Sequence, residues 1–149
     1  MASKPTTLTS PLTIDQHLCF KLYSTSLKMT QIYKPLLAEL NLTYPQYLVM
    51  VVLWEQEGLG IKDIAERLQQ DSGSITPLVK RLEAEGYLIR DRDPLDERNR
   101  VLTLTAAGKR LRAAGIKVNL AIGAECGITY PELAAMSASI DKLNKRLTR

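Results

Sequence analysis

The chain has 149 residues, 45% hydrophobic and 24% charged, the size and make-up of one globular domain or one protomer of a larger assembly. Its longest unbroken apolar run, Leu48 to Trp54, is far short of the roughly 20 residues a membrane helix needs. The Ser/Thr/Pro-rich start carries no apolar signal segment, so a cytoplasmic protein without a membrane partner is expected. One His and two Cys exclude the usual His/Cys zinc site and a disulfide scaffold, and no metal or cofactor is expected. A net charge of +4 and a pI near 9.1 suit a nucleic-acid partner without requiring one. The excess sits late in the chain: residues 101–149 hold eight basic and three acidic groups, residues 62–100 eight and nine.

Residues 1–13 read as a flexible tail. From Ile14 the apolar positions Ile14, Leu18, Leu22, Leu27, Ile32, Leu36 and Leu40 mark an amphipathic helix of about 25 residues, with Pro35 implying a kink or restart. Thr43 is placed to cap a second helix, Gln46 to Gln56, with Pro45 in its first turn. That helix is apolar nearly all round, the mark of a buried central element, and Gly58 and Gly60 end it. A short helix, Ile61 to Leu68, is followed by the connector Gln69–Ser72, where Asp71 or Ser72 can cap what comes next. The helix after it, Gly73 to Glu85, turns Ile75, Leu78, Val79 and Leu82 inward. Outward it presents Ser74, Thr76, Pro77, Lys80 and Arg81, and Gly86 closes it. Two β-prone stretches, Tyr87–Arg90 and Arg100–Leu104, flank a charged tip and predict a hairpin. Thr105 can cap a helix from Ala106 to about Ala124, ended by Gly127. A last helix after Thr129-Tyr130-Pro131 carries Leu133, Met136, Ile140, Leu143 and Leu147. Trp54 and the methionines read as core.

Short helix, turn, second helix and charged hairpin together make a winged helix-turn-helix, so the fold expected is mainly α with a small β-hairpin wing. Such a second helix enters the major groove of B-DNA. Ser72, Ser74, Thr76 and Pro77 would approach bases or phosphates, while Lys80 and Arg81 would grip the backbone or a guanine. The hairpin, with Arg92, Arg98 and Arg100, can lay an arginine in the minor groove, and Asp96 is placed to brace Arg98. Runs of mixed charge are also common on plain solvated surfaces.

A second constellation is chemical. Cys19 precedes Tyr33 by fourteen residues, close to four helical turns, which puts the two on one azimuth about 20 Å apart. They cannot touch within one straight helix, so contact needs a partner subunit or a broken helix. A phenolic O–H aimed at sulfur favours the thiolate, which attacks a peroxide to give a sulfenic acid that a second thiol can trap. Cys126 is the other thiol. A cysteine on an apolar face is also commonly packing alone, and His17 reads as a solvent-facing neighbour.

The segments Ile64–Leu68, Gly73–Tyr87, Arg92-Asp93-Pro94-Leu95-Asp96-Glu97-Arg98 and Leu104-Thr105-Ala106-Ala107-Gly108 resemble the MarR family of bacterial transcriptional regulators. Cys19–Ser24, Tyr33–Leu37 and Leu42-Thr43-Tyr44-Pro45-Gln46-Tyr47 are similar to its OhrR branch, the organic-hydroperoxide-sensing repressors of two-cysteine type. The resemblance implies an intertwined homodimer reading a pseudo-palindromic operator. It implies Cys19 as redox sensor, Tyr33 and Tyr44 as its hydrogen-bonding phenols, and Cys126 as resolving thiol in an intersubunit disulfide. Residues 14–44 and 105–149 would then be dimerisation segments around a DNA-binding domain at 45–104. Alternatives are a regulator released by a small phenolic ligand, an architectural DNA binder, and a thiol peroxidase. The last lacks the Pro-x-x-x-Thr-x-x-Cys pattern, since Leu12 and Gln16 stand at those positions.

Overall fold

The computed structural model describes residues 13–148, so the tail expected over 1–13 lies almost wholly outside the described residues. A 3-10 turn, Ile14–Gln16, leads into α1 (Leu18–Ala38), α2 (Tyr44–Glu55), α3 (Ile61–Arg67), α4 (Ser72–Ala84), β1 (Leu88–Arg92), β2 (Arg100–Leu104), α5 (Ala106–Cys126) and α6 (Tyr130–Leu147). The order is that of a helical protein with one hairpin wing, as the sequence predicts.

Local chemistry explains the boundaries. The first helix is shorter than its periodicity suggests, because extended backbone at His17 separates the 3-10 turn from α1. Pro35 neither restarts nor ends it. The proline sits in the last turn, where its missing N–H removes one bond near a terminus already rich in unpaired carbonyls. Thr43 caps α2 through a reciprocal box: its hydroxyl accepts from Gln46 N at 3.4 Å, and Gln46 Oε1 accepts from Thr43 N at 2.9 Å. That exchange is why the polar Gln46 can be buried. Of the two candidate caps for α4, Asp71 holds the place, accepting from Ser74 N at 2.8 Å, and Ser72 is the first helical residue. Gly86 adopts a φ of +81°, the left-handed turn that ends α4.

The core of the protomer is built around α2. Val49, Met50 and Leu53 meet Leu37 of α1, Ile64 of α3, Ile75, Val79 and Leu82 of α4, and Leu88 and Leu102 of the wing strands. The strands pair antiparallel, Leu88 opposite Leu104 and Arg92 opposite Arg100. They run further toward the tip than predicted, so Asp91 and Arg92 belong to β1. A bridge from Leu59 to Leu102 ties the wing to the segment after α2.

The last helix differs. Its apolar stripe is present as predicted, yet Leu133, Met136, Ile140 and Leu147 are exposed and no residue of α6 is buried. Leu18 and Leu22 of α1 are exposed too. Met136 corrects the expectation that the methionines are core, which holds for Met50; nothing among the described residues of the protomer covers that face.

Candidate redox and DNA-binding sites

Tyr33 on α1 and Tyr44 and Tyr47 on α2 form a cluster, with ring centroids 4.7 Å apart for Tyr33–Tyr44 and 5.9 Å for Tyr33–Tyr47. Tyr44 and Tyr47 share a face of α2 because they are three residues apart. Burial above all, then Tyr44, Tyr47 and Cys126, pushes the Tyr33 phenol up to about 12. Burial also raises Tyr44 and Tyr47. At neutral pH the three are therefore O–H groups, hydrogen-bond donors rather than phenolates. The Tyr47 hydroxyl is engaged, donating to the Gly115 carbonyl at 3.0 Å. Among the described residues the Tyr33 and Tyr44 hydroxyls donate to no protein acceptor.

The two cysteines stand differently toward this cluster. Cys126, at the end of α5, makes the smallest of the contributions that raise Tyr33. Both cysteines are free, Cys19 exposed and Cys126 half-buried. Because α1 runs unbroken from Leu18 to Ala38, Cys19 lies about 20 Å along the helix from its own Tyr33. The broken-helix alternative is thereby removed. The protomer brings together Tyr33, Tyr44 and Tyr47, and does not bring Cys19 to them. His17 is exposed and precedes α1, as expected of a solvent-facing residue.

The second site is the outer face of α4 and the wing. Ile75, Val79 and Leu82 point inward, and Ser72, Ser74, Pro77, Lys80 and Arg81 are exposed. Thr76 is half-buried, and its hydroxyl donates to the Ser72 carbonyl at 2.9 Å. The Ser74 hydroxyl donates to Asp71 at 3.1 Å. Both hydroxyls keep acceptor capacity outward. Hydrogen bonds to Ser74 hold the Asp71 carboxyl below its ordinary range, so the α4 cap is charged at neutral pH. Arg81 lies on the flank of α4, in a crevice shared with Asn41, Thr43 and Glu85. At the tip Asp96 Oδ1 accepts from Arg98 N at 3.1 Å and Asp93 Oδ1 from Leu95 N at 2.9 Å. The brace expected between Asp96 and Arg98 thus acts on the backbone and leaves the guanidinium without a carboxylate partner among the described residues. Arg92 and Arg100 oppose each other across the ladder, a like-charge pair that is unfavourable until an anion arrives.

Residues 31–114 match the family described as transcriptional regulator SarA/Rot. The chain belongs to this MarR-like family of transcriptional regulators. It is 45% identical over 105 residues to the organic hydroperoxide resistance transcriptional regulator of Bacillus subtilis (strain 168), spanning 70% of this chain and 71% of that one. With the regulator TtmR of Methylorubrum extorquens (strain PA1) it shares 42% over 137 residues, 92% of this chain and 70% of that one. Reduced AbfR bound to DNA superposes with a TM-score of 0.75 at 31% identity, over 91% of this chain and 95% of that chain. AbfR, a protein of Staphylococcus epidermidis, has also been solved overoxidised on DNA, and that structure superposes at 0.73. The winged helix-turn-helix of this MarR-like regulator is therefore the family's fold, and the relatives are regulators rather than enzymes, which sets the peroxidase alternative aside. Among its described residues no helix is long and apolar enough to cross a membrane.

Tyr47, which sequence spacing does not single out, joins the phenol cluster through its three-residue offset from Tyr44. Trp54 packs against the core as expected, and its indole Nε1 donates to the Gly108 carbonyl at 2.9 Å.

Proposed function

We propose that this chain is a homodimeric repressor that binds a pseudo-palindromic operator in its reduced form and releases it when an organic hydroperoxide oxidises Cys19. The observation that carries this reading is the division of the chemistry. Tyr33 and Tyr44 gather at one place in the protomer, and Cys19 stands exposed at the far end of an unbroken α1. A second copy, docked on the bare faces of α1 and α6, would supply its Cys19 to the phenols. The dimerisation segments are then residues 14–44 and 105–149, around a DNA-binding domain at 45–104.

The phenols donate to the thiolate and hold it in the nucleophilic form. The sulfur attacks the terminal peroxide oxygen, forming the S–O bond of the sulfenic acid as the O–O bond breaks, and the departing alkoxide takes a proton from solvent to leave as the alcohol. The sulfenic acid then condenses with the Cys126 thiol of the other subunit, forming the S–S bond and releasing water. Moving these groups shifts the paired lobes out of register with half-sites about one helical turn apart. On DNA, the α4 face with Ser72, Ser74, Thr76, Pro77, Lys80 and Arg81 enters the major groove. Arg92, Arg98 and Arg100, with Asp96 shaping the tip, serve the wing. A regulator that works through an oxidisable thiol and a reducible disulfide suits the cytoplasm.

A second reading has an observation of its own. A cavity of about 360 Å³ between α1, α2 and α5 is lined by Tyr33, Tyr47, Trp54, Glu55 and Arg112, a size suited to a small phenolic effector. Cys19→Ser separates the two. The variant is expected to bind operator like the parent, to keep it when cumene hydroperoxide is added, and to form no crosslinked dimer on a non-reducing gel. Release of the variant by the peroxide would remove the thiol from the mechanism.

A further inference from the structure

Tyr47 and Trp54 stand seven residues apart on α2, two helical turns, and their polar atoms both reach α5. The Tyr47 hydroxyl donates to the Gly115 carbonyl at 3.0 Å, and the Trp54 indole N–H donates to the Gly108 carbonyl at 2.9 Å. The acceptors are likewise seven residues apart. The two helices are latched twice in register, at carbonyls that keep a lone pair for their own helix. At Gly115 the approach is close because the acceptor is a glycine. A Cβ on Gly115 would lie 2.5 Å from Trp54 Cζ3, so the indole rests directly on the α5 backbone.

The latch has a chemical end and a DNA-binding end. At one, the Tyr47 ring packs on Tyr33 and Tyr44, with centroids 5.9 and 6.5 Å away. From there an edge-on contact of 6.1 Å passes to Trp54. At the other, Gly108 adjoins the root of the wing: Thr105 Oγ1 donates to the Gly86 carbonyl at 2.6 Å, and Thr105 N to the Tyr87 carbonyl at 3.1 Å. A run of aromatic rings thus leads from the phenols to the joint between the recognition helix and the wing.

We propose that Tyr47 and Trp54 are positioning residues that transmit displacement of Tyr33 and Tyr44 to α5 and the root of the wing. The inference rests on the redox reading above and adds the residues through which it acts. Tyr47 itself donates nothing to the sulfur, because its hydroxyl is spent on Gly115.

Tyr47→Phe deletes that hydroxyl and keeps the ring. The full-length dimer is assayed on a duplex selected from a random pool by the parent, before and after cumene hydroperoxide, with the Cys19 thiol followed by alkylation. The variant should bind operator within about twofold of the parent when reduced and lose its Cys19 thiol at the parental rate. The ratio of reduced to oxidised affinity should fall about three- to tenfold, the scale of one lost hydrogen bond within a coupling of this kind. Trp54→Phe, which removes the second donor, should lower the ratio in the same direction and covers the case in which Tyr47→Phe does not fold. An unchanged ratio in a folded variant overturns the proposal. So does slower Cys19 oxidation with an unchanged ratio, which would make Tyr47 a partner of the thiol. A parent that oxidises at Cys19 and keeps its operator would instead bring down the redox reading, and this inference with it.

Discussion

A phenol held near 12 keeps its proton, and so can donate a hydrogen bond, at every physiological pH, and the same shift ties Tyr33 to stability. Its pKa is raised on folding from 10.0, mainly by burial and then by Tyr44, Tyr47 and Cys126. The folded state therefore holds a proton that the unfolded chain gives up first. This contribution is complete below pH 10 and is lost as the pH rises from 10 toward 12. Urea midpoints should fall over that window, and Tyr33→Phe should flatten the fall; an unchanged slope would place the Tyr33 phenol in water. The half-exposed ring makes the effect modest. Spacing alone made Cys19 and Tyr33 readable as a pair unable to meet within one helix. Tyr47 was unreadable because the destination of its hydroxyl lies on another helix 68 positions away. Sequence offers candidate donors, and tertiary packing decides which are spent.

Among the elements, those with strong local chemistry were legible nearly to the residue. Thr43, Asp71, Thr105 and Thr129 all sit at N-caps and accept from the following turn. Less legible were features that depend on balance, such as Pro35 within α1 and the extension of β1 to Arg92, where pairing with β2 outweighs the polar sequence. Gly108 was visible as part of a family-like motif and Gly115 was not, and neither position showed how near α5 comes to its neighbours. A Cβ on Gly108 would sit 2.0 Å from the Tyr87 carbonyl oxygen, whereas one on Gly123 meets nothing within 4 Å. Gly108→Ala must push backbone from backbone, and overpacking of that kind costs roughly 1–3 kcal/mol. Gly123→Ala, in the same helix, should be neutral or stabilise by up to about 1 kcal/mol. Calorimetry on the two variants checks the contrast, and equal melting temperatures would mean that α5 is not packed tightly on the wing root.

For the whole molecule, the sequence marked the stripe Leu133, Met136, Ile140, Leu143 and Leu147 but could not say what covers it. Periodicity reports that a face is apolar; it does not report whether the partner is in the same chain. In the protomer Leu133, Ile140 and Leu147 are 50%, 51% and 72% exposed, and Leu18 and Leu22 of α1 are also bare. Apolar surface of that extent marks an interface in a soluble protein. A self-complementary face is what a two-fold dimer requires, each residue being used once by each copy. Ile140→Glu places a charge in the middle of the stripe on both copies at once. It should leave the core of the winged lobe intact, since α6 contributes no residue to it. Sedimentation should therefore show a shift toward monomer, with a melting temperature that no longer rises with protein concentration. The cumene hydroperoxide-induced crosslink should disappear in the same variant although both cysteines remain, because a Cys19 without a second copy has no phenols to meet. A variant that stays dimeric and still crosslinks would move the interface away from α6.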